Sequence, residues 1–155
     1  MLWNKVEKCR RSEIQAIQLD RLQKTVSYVY ENNPHYRKKL DEQEIKPGSI
    51  RTLKDIRRIP FTTKQDIRDN YPFKLFTAPQ KEIVEYHATS GTTGKPVVVG
   101  YTRQDLESWK LVMARAFTAA GITNKDVVQN IYGYGLFTGG LGAHYGAIQV
   151  GAAVI

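Results

Sequence analysis

The chain reads as an α/β protein. A mostly helical amino-terminal region, residues 1–80, is followed over residues 81–155 by part of a wound, mostly parallel α/β sheet that is truncated at its carboxyl end. Three observations carry this reading. Before residue 80, apolar positions recur at helical spacing behind helix-start sequences. After it, β-branched runs alternate with helical stretches in the order strand, helix, strand, helix, strand, the pattern of a wound layer. The last residues, Ala152-Ala153-Val154-Ile155, have the composition of a buried strand without a polar tail, as expected of the amino-terminal portion of a longer protein.

Taken in order, Ser12-Glu13-Ile14-Gln15 has the pattern of a capping box, and Ile14, Ile17, Leu22, Val26 and Val29 form one apolar stripe on a helix running to about Tyr30. Asn32-Asn33-Pro34 ends it, and a short helix is expected from Pro34 through Leu40. Within that helix Tyr36 is expected to pack and His35 to lie on the surface. Thr52-Leu53-Lys54-Asp55 and Thr63-Lys64-Gln65-Asp66 each open a further short helix, stopped by Pro60 and Pro72. Ile50, Leu53, Ile56, Ile59, Phe61 and Ile67 are expected to supply their buried faces.

Lys81 to His87 alternates polar and apolar residues and predicts a strand. A turn and a second strand follow, with Pro96 at the outgoing strand's first position. Thr102-Arg103-Gln104-Asp105 caps a long helix whose apolar face would carry Leu106, Trp109, Val112, Met113, Ala116, Phe117 and Ala120, with Gly121 as its stop. Val127 to Tyr132 is the next expected strand, Leu141 to Val150 a helix, and Ala152 to Ile155 the last strand.

Between the first two of these strands lies Thr89-Ser90-Gly91-Thr92-Thr93-Gly94-Lys95-Pro96. Hydroxyl and backbone N–H donors can converge on an anion where glycine lets the main chain approach, and lysine adds a point charge. The stretch is not a Walker loop. Thr89 occupies the place of the first glycine, Pro96 that of the Mg²⁺-binding hydroxyl, and a strand rather than a helix follows. A polyphosphate clamp and an ordinary Gly/Thr hairpin turn are the two readings, and the three hydroxyls of Ser90, Thr92 and Thr93 favour the clamp.

The second glycine-rich block runs from Tyr132 to Gly146, with Tyr132, Tyr134 and Phe137 among Gly133, Gly135, Gly139 and Gly140. Rings on a glycine-rich backbone can line a pocket for another flat ring, or they can be core while the glycines let the next helix pack closely. Residues alone leave these two even. His144 reads as a packed or capped histidine rather than a catalytic one.

His87-Ala88-Thr89-Ser90-Gly91-Thr92-Thr93-Gly94-Lys95-Pro96, with Val98-Val99-Gly100-Tyr101-Thr102, resembles the signature of the AMP-forming acyl-CoA synthetases, and among them the phenylacetate-CoA ligases most closely. The Tyr132–Gly146 block is similar to their aryl-acid pocket segment, and the two blocks stand in the same order about forty residues apart. The resemblance implies that Ser90, Gly91, Thr92, Thr93, Gly94 and Lys95 hold the nucleotide phosphates and that Tyr132 and Phe137 line the acid pocket. It implies ATP, Mg²⁺ and coenzyme A as cosubstrates of the full-length enzyme, and a small aryl acid such as phenylacetate as substrate. The adenine-binding segment, the Mg²⁺-coordinating glutamate and the adenylation lysine of these ligases would lie past residue 155. No residue of this chain is therefore assigned a covalent catalytic or metal-binding role, and the chain by itself is expected to be inactive. A homodimer is left open.

Composition excludes several other classes. With 41% hydrophobic residues the chain can bury a core, its start has no apolar leader, and the single cysteine, Cys9, excludes an internal disulfide and a cysteine-rich zinc site. A cytoplasmic setting without membrane insertion is the expectation. The net charge of +8 raises nucleic acid as a partner; residues 1–72 carry 16 Lys/Arg and 10 Asp/Glu, against 7 and 5 in the remainder. These charges are interleaved at helical spacing and no nucleic-acid motif accompanies them, so a solvated surface is the better reading. A nucleotide-binding regulatory module without turnover is the alternative to the ligase.

Overall fold

The computed structural model describes residues 5–89 and 96–155. The backbone divides into two compact units, one formed by Lys8–Pro79 and the other by the residues through Glu7 together with Gln80–Ile155.

The Lys8–Pro79 unit is built on α1 (Arg11–Asn32), α2 (Pro34–Asp41) and α3 (Lys64–Asp69), with a 3₁₀ turn over Leu53–Arg58. Helix α1 starts ahead of the Ser12 box. The Glu13 carboxylate reaches back to accept the Arg10 N–H at 2.7 Å, so Arg10 takes the cap position. At the other end Asn33 closes α1 and opens α2. Its N–H donates to the Val29 carbonyl (3.0 Å), and its side-chain oxygen accepts from the N–H groups of His35 and Tyr36. The Asn33 amide also donates to the carbonyls of Lys74 and Phe76, so this buried polar side chain is fully used.

Val26, Leu40, Ile45 and Ile50 form the buried centre of this unit, with Leu19, Leu22, Val29, Tyr30 and Ile59 packed against it. At roughly 1.5–3 kcal/mol per fully buried aliphatic side chain, this cluster is its main source of stability. Two residues expected in it lie outside. Ile56 is 55% exposed because Leu53–Arg58 forms a 3₁₀ turn, which presents a different face from an α-helix, and Phe61, in the irregular stretch after it, is 88% exposed. His35 departs from expectation the other way. It is half-buried, with Nε2 3.2 Å from Asp66 Oδ1 and Nδ1 3.2 Å from the Asn70 amide.

The second unit contains a hairpin, β1 (Ile83–Ala88) with β2 (Val98–Thr102), then α4 (Arg103–Ala119), β3 (Val127–Val128), α5 (Thr138–Val150) and β4 (Ala153–Val154). Strands β1 and β2 are antiparallel, whereas β3 and β4 are parallel and joined through α5, a β-α-β arrangement. The sheets are small and open, and parallel pairing is confined to the β3–β4 couple. Thr102 ends β2 and caps α4. Its hydroxyl accepts from the Asp105 N–H, and the Asp105 carboxylate accepts from the Thr102 N–H at 2.9 Å.

Helices α4 and α5 pack through small residues. A Cβ on Gly142 would stand 2.5 Å from the Trp109 ring, and one on Gly146 would overlap Met113. This contact centres the covered face of α4 on Trp109, Met113 and Ala114, and leaves Val112, expected in the core, 59% exposed. Gly121 and Gly151, at φ +94° and +92°, end α4 and α5 in the left-handed conformation that glycine adopts without strain. Strand β3 is shorter than its β-branched run suggested. The Asn130 side chain accepts from the Tyr132 N–H (3.3 Å) and donates to the Gly140 carbonyl (2.9 Å), turning the chain out of the ladder and exposing Ile131. Among the described residues, no helix is long and apolar enough to cross a membrane.

Candidate functional site

The site lies within the second unit, where the β1–β2 hairpin meets the glycine-rich block. The hairpin register pairs Ala88 with Val98 and His87 with Val99. One step beyond, Thr89 and Val97 close the neck. The Thr89 N–H donates to the Val97 carbonyl and the Val97 N–H to the Thr89 hydroxyl, both at 3.0 Å. Ser90, Gly91, Thr92, Thr93, Gly94 and Lys95, the expected phosphate-binding residues, lie outside the described residues, so the neck is where their loop is anchored. Pro96 stands two residues before β2 rather than within it.

The glycine-rich block is fastened to this hairpin by the Leu136 carbonyl, which accepts the Ala88 N–H at 2.8 Å and lies 3.1 Å from His87 Nδ1. It then turns into α5, with Phe137 at the cap position. The Tyr132 ring rests on Gly139, where an added Cβ would come within 2.8 Å of it, and Gly140 lies against the Gly133 carbonyl. Asn130 donates to the Tyr134 hydroxyl, which lies 2.9 Å from His144 Nδ1. His144 is thus held by a tyrosine, as a packed histidine would be.

Between the hairpin and the block lies a cleft of about 460 Å³. Thr89 and Val97 from the neck, Val99 from β2, and Tyr132, Phe137, Thr138 and Gly139 from the block all line it. Its walls join the anchors of the hydroxyl-rich loop to both aromatic residues expected in the acid pocket. Tyr132 is 60% and Phe137 48% exposed, so they are not core rings. Gly139 lines the cleft and Gly140 lies against the block's own backbone, while Gly142 and Gly146 seat α5 on α4.

Sequence reasoning missed the polar network beneath this cleft. His87 is buried. Its Nε2 is 2.6 Å from Glu85 Oε1, and the other Glu85 oxygen accepts from the Tyr145 hydroxyl, also at 2.6 Å. That hydrogen bond to a carboxylate, with burial, pushes the Tyr145 hydroxyl up to about 12, so it stays protonated and donating. The period-two alternation of β1 already places Glu85 and His87 on one face. Nothing local points to Tyr145, 60 positions away. Among the described residues, no group of His, Cys, Asp or Glu could hold a metal ion.

No protein-family model matches the chain. Over 150 residues, 97% of its length, it is 53% identical to the phenylacetate-coenzyme A ligase of Escherichia coli strain K12, of which it covers 34%. By sequence, the chain resembles a segment of the phenylacetate-CoA ligases. It is 51% identical over the same number of residues to the phenylacetate-coenzyme A ligase of Thermus thermophilus. Its backbone superposes on a 2-hydroxyisobutyryl-CoA ligase, solved with 2-HIB-AMP and CoA in the thioesterification state, with a TM-score of 0.88 and 32% identity. That match covers 94% of this chain and 32% of the solved one. The chain therefore spans about a third of the length of these relatives.

Proposed function

We propose that this chain supplies the phosphate-gripping loop and part of the acid pocket of an ATP-dependent aryl-acid CoA ligase. In the reaction, the acid's carboxylate attacks the α-phosphorus of ATP and releases pyrophosphate. The thiol of coenzyme A then displaces AMP from the acyl-adenylate. Such chemistry asks the protein for alignment and charge compensation more than for a covalent nucleophile. Ser90, Thr92, Thr93 and Lys95, with the backbone of Gly91 and Gly94, are the donors that would hold the nucleotide phosphates. Tyr132 and Phe137 would flank the ring of a phenylacetate-like acid. The observation that carries this reading is the single cleft bounded at one end by the Thr89–Val97 neck and at the other by Tyr132 and Phe137. Among the described residues, no cluster of three or more His, Cys, Asp or Glu is set to hold Mg²⁺. The lone cysteine accords with a cytoplasmic enzyme.

The test is steady-state kinetics of AMP and pyrophosphate release in the ligase carrying this segment. Lys95→Ala and Thr93→Ala are expected to raise KM for ATP by about tenfold or more, the scale of losing a charge-assisted hydrogen bond. Tyr132→Ala is expected to raise KM for phenylacetate instead. ATP kinetics unchanged by both loop substitutions would overturn the loop assignment. Nucleotide binding with no acid-dependent release of pyrophosphate would replace the ligase with a binding module.

A further inference from the structure

The Leu136 carbonyl is the link between the loop-bearing strand and the aromatic wall of the cleft, and His87 reaches it from below. A carbonyl can only accept, so His87 Nδ1 must carry a hydrogen to bond it. At the other nitrogen, 2.6 Å from Glu85 Oε1, two lone pairs would repel; a proton has to lie there too. The second Glu85 oxygen cannot supply that proton, because it is occupied by the Tyr145 hydroxyl. Imidazole is ordinarily the stronger base of the two partners, so the arrangement is complete as a doubly protonated ring against a carboxylate.

The surroundings suit that ion pair. The His87 side chain is 2% exposed and the Glu85 side chain 17%. The rings of Tyr101 on β2 and Trp109 on α4 meet the imidazole edge-on at 5.3 and 5.6 Å. Around the pair the titratable groups are Tyr101, Tyr145 on α5 and, beyond it, Lys110 on α4, which lies over the Tyr145 ring and pairs with Glu107. A buried pair of this kind is weak evidence for stability but strong evidence for a fixed geometry, because losing either partner strands the other.

Resting on the ligase reading for the identity of the ligand, we propose that His87 is a positioning residue: held as an imidazolium by Glu85 and Tyr145, it fixes the Leu136 carbonyl and so sets where Phe137 stands relative to the Thr89 neck. His87 keeps both nitrogens engaged beneath the cleft and does no proton transfer. The acid pocket and the strand leading to the phosphate loop then move as one piece, aligning the two substrates.

The chain holds only three histidines, so ¹⁵N-detected NMR of the full chain can resolve each ring. At neutral pH, His87 is expected to show hydrogens on both nitrogens. In Glu85→Gln the amide can donate to Nε2 while its oxygen still accepts from Tyr145. The ring there is expected to lose its Nε2 hydrogen and keep the Nδ1 bond, with the Ala88 amide still protected from exchange. In His87→Leu, Ala88 exchange is expected to quicken and phenylacetate binding to weaken, each by about tenfold, the scale of one buried hydrogen bond. A singly protonated His87 in the wild-type chain overturns the proposal, as does His87→Leu with unaltered Ala88 protection and phenylacetate affinity. Should His87→Leu fail to fold, the wild-type and Glu85→Gln spectra decide the question. A ligase carrying this segment that binds no phenylacetate would sink the acid-pocket reading, while the ring and exchange data would still judge the tether.

Discussion

Asn33 shows how much one buried side chain can organise. It serves two helices and two loop carbonyls, and no apolar residue can replace those bonds. Asn33→Ala is expected to lower stability by about 2–3 kcal/mol, combining a lost helix cap with a stranded buried acceptor. Urea unfolding followed by the fluorescence of the tyrosines around it would measure this. A loss below about 0.5 kcal/mol would mean that water replaces the amide. The sequence marked Asn33 as a helix end, which is a local property, but its bonds to Lys74 and Phe76 bridge some 40 positions and leave no local trace. The same limit explains His35. A histidine in a basic turn reads as surface until Asp66 is brought against it from α3.

Among the elements, helix boundaries were the most legible because their signals are short-range. Thr-x-x-Asp occurs at Thr52, Thr63, Thr102 and Thr123, and in every case the aspartate accepts the threonine N–H. Three of these open helical turns. The fourth, Thr123 with Asp126, makes a turn before β3, so the pattern specifies a local hydrogen-bond ring rather than a helix as such. Which face of a helix is covered was less legible. Both Val112 and Met113 fit an apolar stripe on α4, and the choice is made by Gly142 and Gly146 on α5. Gly142→Ala is expected to cost about 1–3 kcal/mol by overpacking against Trp109, with the Trp fluorescence and near-ultraviolet dichroism altered. A variant as stable as wild type would show that α4 and α5 can separate at no cost. Strand lengths were overestimated, since β-branched composition says nothing of the Asn130 side chain that ends the ladder.

For the whole molecule, charge governs stability at both ends of the pH scale. Four carboxylates are held below their ordinary range: Asp41 by Lys46, Asp55 by the backbone of Arg51 and Thr52, Asp66 by the backbone and hydroxyl of Thr63 with Lys39, and Asp126 by the backbone of Thr123. A group lowered in the folded state favours folding above its unfolded value of 3.8, and that contribution is lost as pH falls through the folded value. Tyr145 works in the opposite sense. Raised to about 12, it favours folding below its ordinary 10.0, and the contribution fades as pH rises through about 12. Tm is therefore expected to fall on acidification below about pH 4, less steeply in Asp66→Asn than in the wild type, and to fall again in alkali, less steeply in Tyr145→Phe, where Tyr101 and Lys46, raised in the same direction, keep part of that limb. Equal acid slopes for Asp66→Asn and wild type would show that Asp66 is equally perturbed in the unfolded chain. The α/β class and the order of elements were legible from the sequence because they rest on spacing along the chain. The network joining β1 to the Tyr132–Gly146 block was not, since it depends on which distant side chains the fold brings together.

The neck at Thr89 and Val97 carries one more implication. Its paired hydrogen bonds add one rung beyond the Ala88–Val98 pair, so the two strands are still held in register where they leave the sheet. Because one bond of that rung is made to the Thr89 hydroxyl, a valine there could not complete it, and the point where the strands part is set by a side chain as well as by the backbone.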